Sequence, residues 1–243
     1  MNLLLLLPED WREEGVAEIG GRRYLHAEEV LKLSQRSGEC RAGVLNGPVG
    51  RAVIESVDPV NQRMRLRFLP EREPPPPLPL ILAAALPRPL TLRKVVHAAV
   101  SMGVKELWFF QSWKVEKSYW SSPMATEENL REQMLLALEQ AVDTKLPELH
   151  FQKHFRTFVE EDLPRIAAGG RLLAAHPDPA ALPCPRGLSG KTTLVVGPEG
   201  GFTPREVEQL TAAGCEIVGL GPRILRTEVA VTTLIARLFD GAQ

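Results

Sequence analysis

The chain has 243 residues, 44% of them hydrophobic and 24% charged, with 29 Lys and Arg against 30 Asp and Glu. The balanced charge, −1 overall, excludes a polybasic nucleic-acid tail, so any RNA contact must come from local basic patches. No apolar run reaches the roughly 20 residues of a membrane helix, and the length suits two small domains or one large one.

The leucines at 3–7 predict a first strand. They are too few for a secretory h-region, lack a basic segment before them and run straight into Pro8-Glu9-Asp10. Residues 26–33 read as helix. Residues 40–45 run into the turn signal Asn46-Gly47-Pro48, residues 50–57 return, and residues 62–68 alternate at period two. That alternation sets Met64, Leu66 and Phe68 on one face and Arg63, Arg65 and Arg67 on the other, with neighbours in the row ~6.6 Å apart. Such a row suits an RNA phosphate backbone, and equally suits the wet side of a charged edge strand. The expectation is a small β-barrel over residues 1–70. Residues 71–79, with Pro74-Pro75-Pro76-Pro77 inside them, form a semi-rigid polyproline linker.

From residue 80 the pattern changes. Residues 80–83 are strand-like, and residues 91–102 are helical, with Leu92, Val95, Val96, Ala99 and Val100 on one face and Gly103 as the stop. Residues 106–110 form a buried strand, Thr126 caps a helix reaching about residue 142, and residues 149–151 form a short strand. A helix over 155–168 is broken or kinked by Pro164, and residues 171–175 are again a strand. Alternation of this kind implies a mostly parallel α/β sheet over residues 80–243.

Cys40, Cys184 and Cys215 are odd in number and share no CxxC spacing, which suits a reducing cytoplasm and no disulfide framework. His150 and His154 lack a third ligand at metal spacing, so no metal is expected. Gly190-Lys191-Thr192 is not a phosphate loop: Pro185 stands where the first glycine belongs, and Lys191 precedes a strand rather than opening a helix.

The last quarter carries the strongest signals. Leu194-Val195-Val196 runs into Gly197-Pro198-Glu199-Gly200-Gly201. Thr203-Pro204-Arg205-Glu206 follows as an N-cap, a first-turn proline and a capping-box acid. A second strand, Glu216-Ile217-Val218-Gly219, runs into Leu220-Gly221-Pro222-Arg223-Ile224-Leu225-Arg226-Thr227-Glu228 and another helix. Two such turns at strand ends are where an open α/β sheet places a small-molecule site.

Together the two segments resemble the SPOUT superfamily of S-adenosylmethionine-dependent RNA methyltransferases. They resemble most the family that methylates N3 of a uridine in 16S ribosomal RNA. That family reads GPEGG, then Ser or Thr with an acid, then LGxRILRTETA; here the Thr after the final Glu is Val229. The resemblance implies a PUA-like barrel, a deep trefoil knot in the α/β domain, and a homodimer paired near the last helix. That helix carries an apolar stripe of Val231, Leu234, Ile235, Leu238 and Phe239. The resemblance places S-adenosylmethionine among three loops, at Ala174 and His176, at Gly197, Glu199, Gly200 and Gly201, and at Leu220, Gly221, Ile224, Leu225 and Thr227. Read as residues alone, Ile224 and Leu225 are equally helix core, and Gly197 a steric turn glycine.

Losing the imide proton of uridine N3 puts negative charge on the ring carbonyls. Arg226 suits that charge, and Glu228 suits the proton; their alternative is a plain helix-start ion pair. The chain departs from the family at Ala141-Val142-Asp143, at residues 111–118 and ahead of the first strand. These departures are expected away from the cofactor loops, on surfaces meeting RNA or a partner subunit. They leave open a catalytically silent homologue that binds RNA or assembling ribosomes, or an enzyme with another target.

Overall fold

The computed structural model describes residues 2–30, 32–33 and 38–240. Contacts divide the chain into one unit of Met1–Pro76 with Leu135–Leu146 and another of Pro77–Met134 with Pro147–Gln243.

In the first unit β1 (Leu4–Leu6), β2 (Trp11–Glu13), β3 (Val16–Gly20), β4 (Glu39–Val44), β5 (Val49–Asp58) and β6 (Arg63–Arg72) form one sheet. Its order is β1-β4-β5-β6-β3-β2, with β1 parallel to β4 and the other neighbours antiparallel. Leu4, Ile19, Ala42, Ala52, Met64, Leu66 and Phe68 share a single core, so five of the six strands wrap one interior. The period-two reading of β6 holds, with Met64, Leu66 and Phe68 inside. The edge-strand alternative does not, because β6 lies between β5 and β3. Helix α1 (Gly21–Leu25) starts earlier than the pattern over 26–33 implies and continues as a π turn over His26–Val30. Leu31, within that pattern, lies outside the described residues.

In the second unit β7 (Leu80–Ala85) is followed by α2 (Pro89–Ser101), β8 (Glu106–Phe110), the first part of α3 (Glu127–Ala141), which from Leu135 belongs to the first unit, and β9 (Glu148–Gln152). Next come α4 (Phe155–Thr157), a π turn at Phe158–Asp162 and α5 (Leu163–Ala167), so the helix restarts around Pro164. Then follow β10 (Arg171–Ala175), β11 (Leu182–Pro183), β12 (Thr192–Val196), α6 (Pro204–Ala212), β13 (Glu216–Gly219) and α7 (Thr227–Leu238). The seven strands pair in parallel in the order β11-β13-β10-β12-β7-β8-β9. Every residue of β7 and β12 is buried, as a strand covered on both faces requires. The five apolar residues expected on one face of α2 are its buried ones, and Gly103 ends the helix with φ +88.

Two expectations about surfaces change. Glu139, two residues ahead of the departing segment Ala141-Val142-Asp143, is 2% exposed. Its carboxylate takes the Arg22 guanidinium at 3.1 and 3.3 Å, and its carbonyl accepts the amides of Asn2 and Leu3. Burial pushes its pKa up against the pull of Arg22. The segment after it is structural as well: Val142 has φ +59 and Asp143 is buried. The apolar stripe of α7 is likewise already used. Val231, Leu234, Ile235, Leu238 and Phe239 are all buried within the chain, each stabilising it by about 2 kcal/mol.

Among the described residues no helix is long and apolar enough to cross a membrane. His150 stacks on Trp108 with ring centroids 4.4 Å apart.

Candidate active site

Strand order changes direction between β7 and β12, and β13, β10 and β12 lie side by side with their carboxyl ends together. A sheet of this kind opens a crevice there, because the helices on either side of the switch lead away from each other. A cavity of about 310 Å³ lies at the carboxyl ends of β10, β12 and β13, within the size range of small-molecule sites. Most of its lining comes from the three loops that follow those strands, with Lys114 after β8 and Ala230 and Leu234 of α7 completing it.

After β10 the lining residues are Ala175, His176 and Pro177; Ala174 is fully buried and does not line the cavity. The pleat explains this, since successive side chains alternate sides. After β12 they are Gly197, Pro198, Glu199, Gly200, Gly201 and Phe202, and after β13 Leu220, Gly221, Arg223, Ile224, Leu225 and Thr227. Ten of the eleven residues proposed from sequence for a cofactor therefore meet in one cavity. Ile224 is 83% and Leu225 38% exposed, so neither is helix core. Among the described residues the amides of Leu220, Gly221, Ile224 and Leu225 donate to no protein acceptor.

The loop after β12 is held by its capping box. Thr203 Oγ1 accepts the Glu206 amide, and Glu206 Oε2 accepts the Thr203 amide at 2.8 Å. Glu206 Oε1 accepts the Trp113 amide at 2.8 Å, tying the loop after β8 to the start of α6. Glu199 Oε1 accepts the amide of Arg88, the N-cap residue of α2, so this carboxylate anchors the loop from outside. Gly201 has φ +66, which a side-chain-bearing residue adopts only with strain.

His176 is one of the polar residues of the lining. Its Nδ1 is buried without a hydrogen-bond partner in the structure. Burial pushes its pKa below the usual histidine value, with Asp178 opposing and Lys114 reinforcing the shift.

Lys114, a lining residue from outside the three loops, is one that sequence reasoning missed. It belongs to the segment 111–118, expected away from the cofactor loops, yet its Nζ donates to the Gly200 carbonyl at 2.7 Å. No local signal marks it, because the contact joins loops after two different strands.

The two residues proposed for chemistry do not line the cavity. Arg226 is exposed at the N-cap of α7, between the lining residues Leu225 and Thr227. Glu228 bonds Lys94 Nζ at 3.0 Å. Its pKa is held down, first by its own backbone amide and then by Lys94.

On the first unit Arg63, Arg65 and Arg67 do project from one face of β6, but not as three free cations. Arg65 pairs with Glu13 and Glu55, and Arg67 with Glu55. Arg63 makes no ion pair among the described residues and lies over Gly20.

A model of the RNA methyltransferase domain matches residues 74–239. The chain belongs to that family. The ribosomal RNA small subunit methyltransferase E of Treponema pallidum is 30% identical, across 100% of this chain and 92% of its own length. That of Mycobacterium bovis is 27% identical, across 90% and 84%. Among solved structures, the Neisseria gonorrhoeae ribosomal RNA small subunit methyltransferase E, bound to S-adenosyl methionine, superposes with a TM-score of 0.74. It is 20% identical, across 97% of this chain and 95% of that one. A Legionella pneumophila protein in complex with S-adenosylmethionine gives a TM-score of 0.73 at 22% identity, across 97% and 96%. These likenesses establish the two-part fold of a family that joins a mixed N-terminal sheet to a parallel α/β domain.

Proposed function

We propose that the protein methylates N3 of a uridine in small-subunit (16S) ribosomal RNA, using S-adenosylmethionine. The observation that carries this is the meeting of the two Gly/Pro motifs in one cavity at the carboxyl ends of β10, β12 and β13. The names of the relatives supply the RNA. The test is transfer of a labelled methyl group to small-subunit RNA from a strain lacking the gene; no transfer defeats the proposal.

The cavity fits the cofactor. The unpaired amides of Leu220, Ile224 and Leu225 suit an adenine edge, apolar side chains suit its faces, and His176 Nδ1 offers one more hydrogen bond. The bound cofactor supplies an electrophilic methyl group on a good leaving group, so the protein's task is positioning. Arg226, outside the cavity but next to it in the chain, stabilises negative charge on the uridine carbonyls as the N3 proton passes to solvent water. Glu228, whose carboxylate accepts Lys94 Nζ at 3.0 Å, is assigned to fixing the start of α7. The target base must be unpaired or flipped for N3 to be reached.

Arg63 is the free cation of the β6 row. Replacing Arg63, Arg65 and Arg67 together by Ala is expected to lower the slope of log K against log[salt] for single-stranded RNA by about 0.7. Three unpaired guanidinium groups would give about 2. An unchanged slope would remove the row from the RNA interface.

The protein acts as a homodimer in this proposal. Since the α7 stripe is spent inside the chain, pairing uses what α2 and α7 leave outside, with Leu90 and Val229 exposed. Light scattering should find a dimer at micromolar concentration and a shift toward monomer in Val229→Glu. A monomeric wild type would refute this.

A further inference from the structure

The loop after β8 is rigid, yet it leaves its largest apolar side chain in water. Ser112 is 1% and Val115 5% exposed, while Trp113 between them is 83% exposed. The backbone on both sides is tied down. Gln111 Nε2 donates to the carbonyls of Ser112 at 2.7 Å and Val115 at 2.9 Å, and the Val115 amide closes a turn onto Ser112 at 3.1 Å. The Trp113 amide itself is held by the buried carboxylate of Glu206 at 2.8 Å. A mobile loop can hide a tryptophan by folding it back; this one cannot.

Trp113 also stands beside the cofactor cavity, since its neighbour Lys114 lines that cavity and bonds Gly200. Arg88 reaches the same loop, with Nε donating to the Tyr119 hydroxyl at 3.2 Å, and its backbone amide is held by Glu199. Lys114 and Lys117 are both exposed. An exposed indole on a fixed turn, flanked by cations, is the combination that stacks an unpaired base while neutralising its phosphates.

We infer that Trp113 is the stacking platform for an unpaired base of the RNA acceptor at the mouth of the cofactor cavity. This rests on the methyltransferase reading for its place in the reaction. The stacking itself is a binding property, measurable without turnover. An indole is the largest side-chain surface available for it, and immobilising the turn in advance lowers the entropy lost on binding.

The experiment measures anisotropy of a fluorescein-labelled oligouridylate of about 12 nucleotides, at one fixed salt concentration. Wild type, Trp113→Ala and Trp113→Phe are compared, with S-adenosylmethionine affinity and light scattering recorded for each. Trp113→Ala should bind the RNA about 10-fold more weakly, and Trp113→Phe should stay within about 3-fold of wild type. Cofactor affinity and subunit number should be unchanged in both. Equal RNA affinity in wild type and Trp113→Ala overturns the inference, as does a wild type that does not bind the oligonucleotide. Loss of subunit pairing in Trp113→Ala would assign the indole to a subunit interface instead, and loss of cofactor affinity would assign it to the cofactor; either overturns it. A wild type that binds the oligonucleotide through Trp113 but methylates no small-subunit RNA would defeat the methyltransferase reading alone.

Discussion

Arg226→Ala is expected to lose methylation by about 10²-fold while binding S-adenosylmethionine nearly as well as wild type, the scale of losing one transition-state donor. Arg226 is exposed at the N-cap of α7. Its side chain is outside the cavity, whereas Leu225 before it and Thr227 after it are lining residues. Removing a guanidinium at this place leaves the cofactor's contacts intact but takes away a cation that the acceptor base can meet. Arg226→Lys should rescue poorly, since a point charge does not replace a planar fork of donors. Full activity in Arg226→Ala would end the catalytic role. Loss of cofactor affinity together with activity would mean that Arg226 shapes the loop.

Gly200→Val should weaken cofactor binding by about 10²-fold, measured by calorimetry, with little change in thermal stability. A Cβ at Gly200 would stand 2.9 Å from Lys114 Cδ and 3.4 Å from its Cβ. The branched side chain therefore displaces Lys114, breaks its bond to the Gly200 carbonyl and pushes bulk into a cavity that both residues line. Gly200 is exposed, so the core is not disturbed. The obstruction acts through Lys114, which the sequence offered no reason to place there. Equal affinities in the two proteins would mean that this loop does not hold the cofactor.

What was legible in the sequence was local. The strands β8, β10 and β13 begin and end where the apolar runs do, and the buried face of α2 is the one its periodicity marks. The Thr203 and Glu206 capping box is complete in the structure because both partners lie within one turn. What was hidden depends on strand order. Lys114 and Gly200 are 86 positions apart and meet only because the loops after β8 and β12 leave the same edge of a parallel sheet. The last helix shows the limit of periodicity from another side. Its stripe is real, but a stripe does not say whether its own sheet or a second subunit covers it, and here the chain covers it. The arginine row on β6 was legible as a face, but its ion-pair partners were not. The carboxylates that pair with it, Glu13 and Glu55, come from other strands.

The most direct measurement is mass-spectrometric mapping of small-subunit ribosomal RNA from a strain lacking the gene. One N3-methyluridine present in the parent should be absent there. It should return with the wild-type gene and fail to return with Arg226→Ala. An N3-methyluridine content identical in the parent and the deletion strain would contradict the proposed reaction.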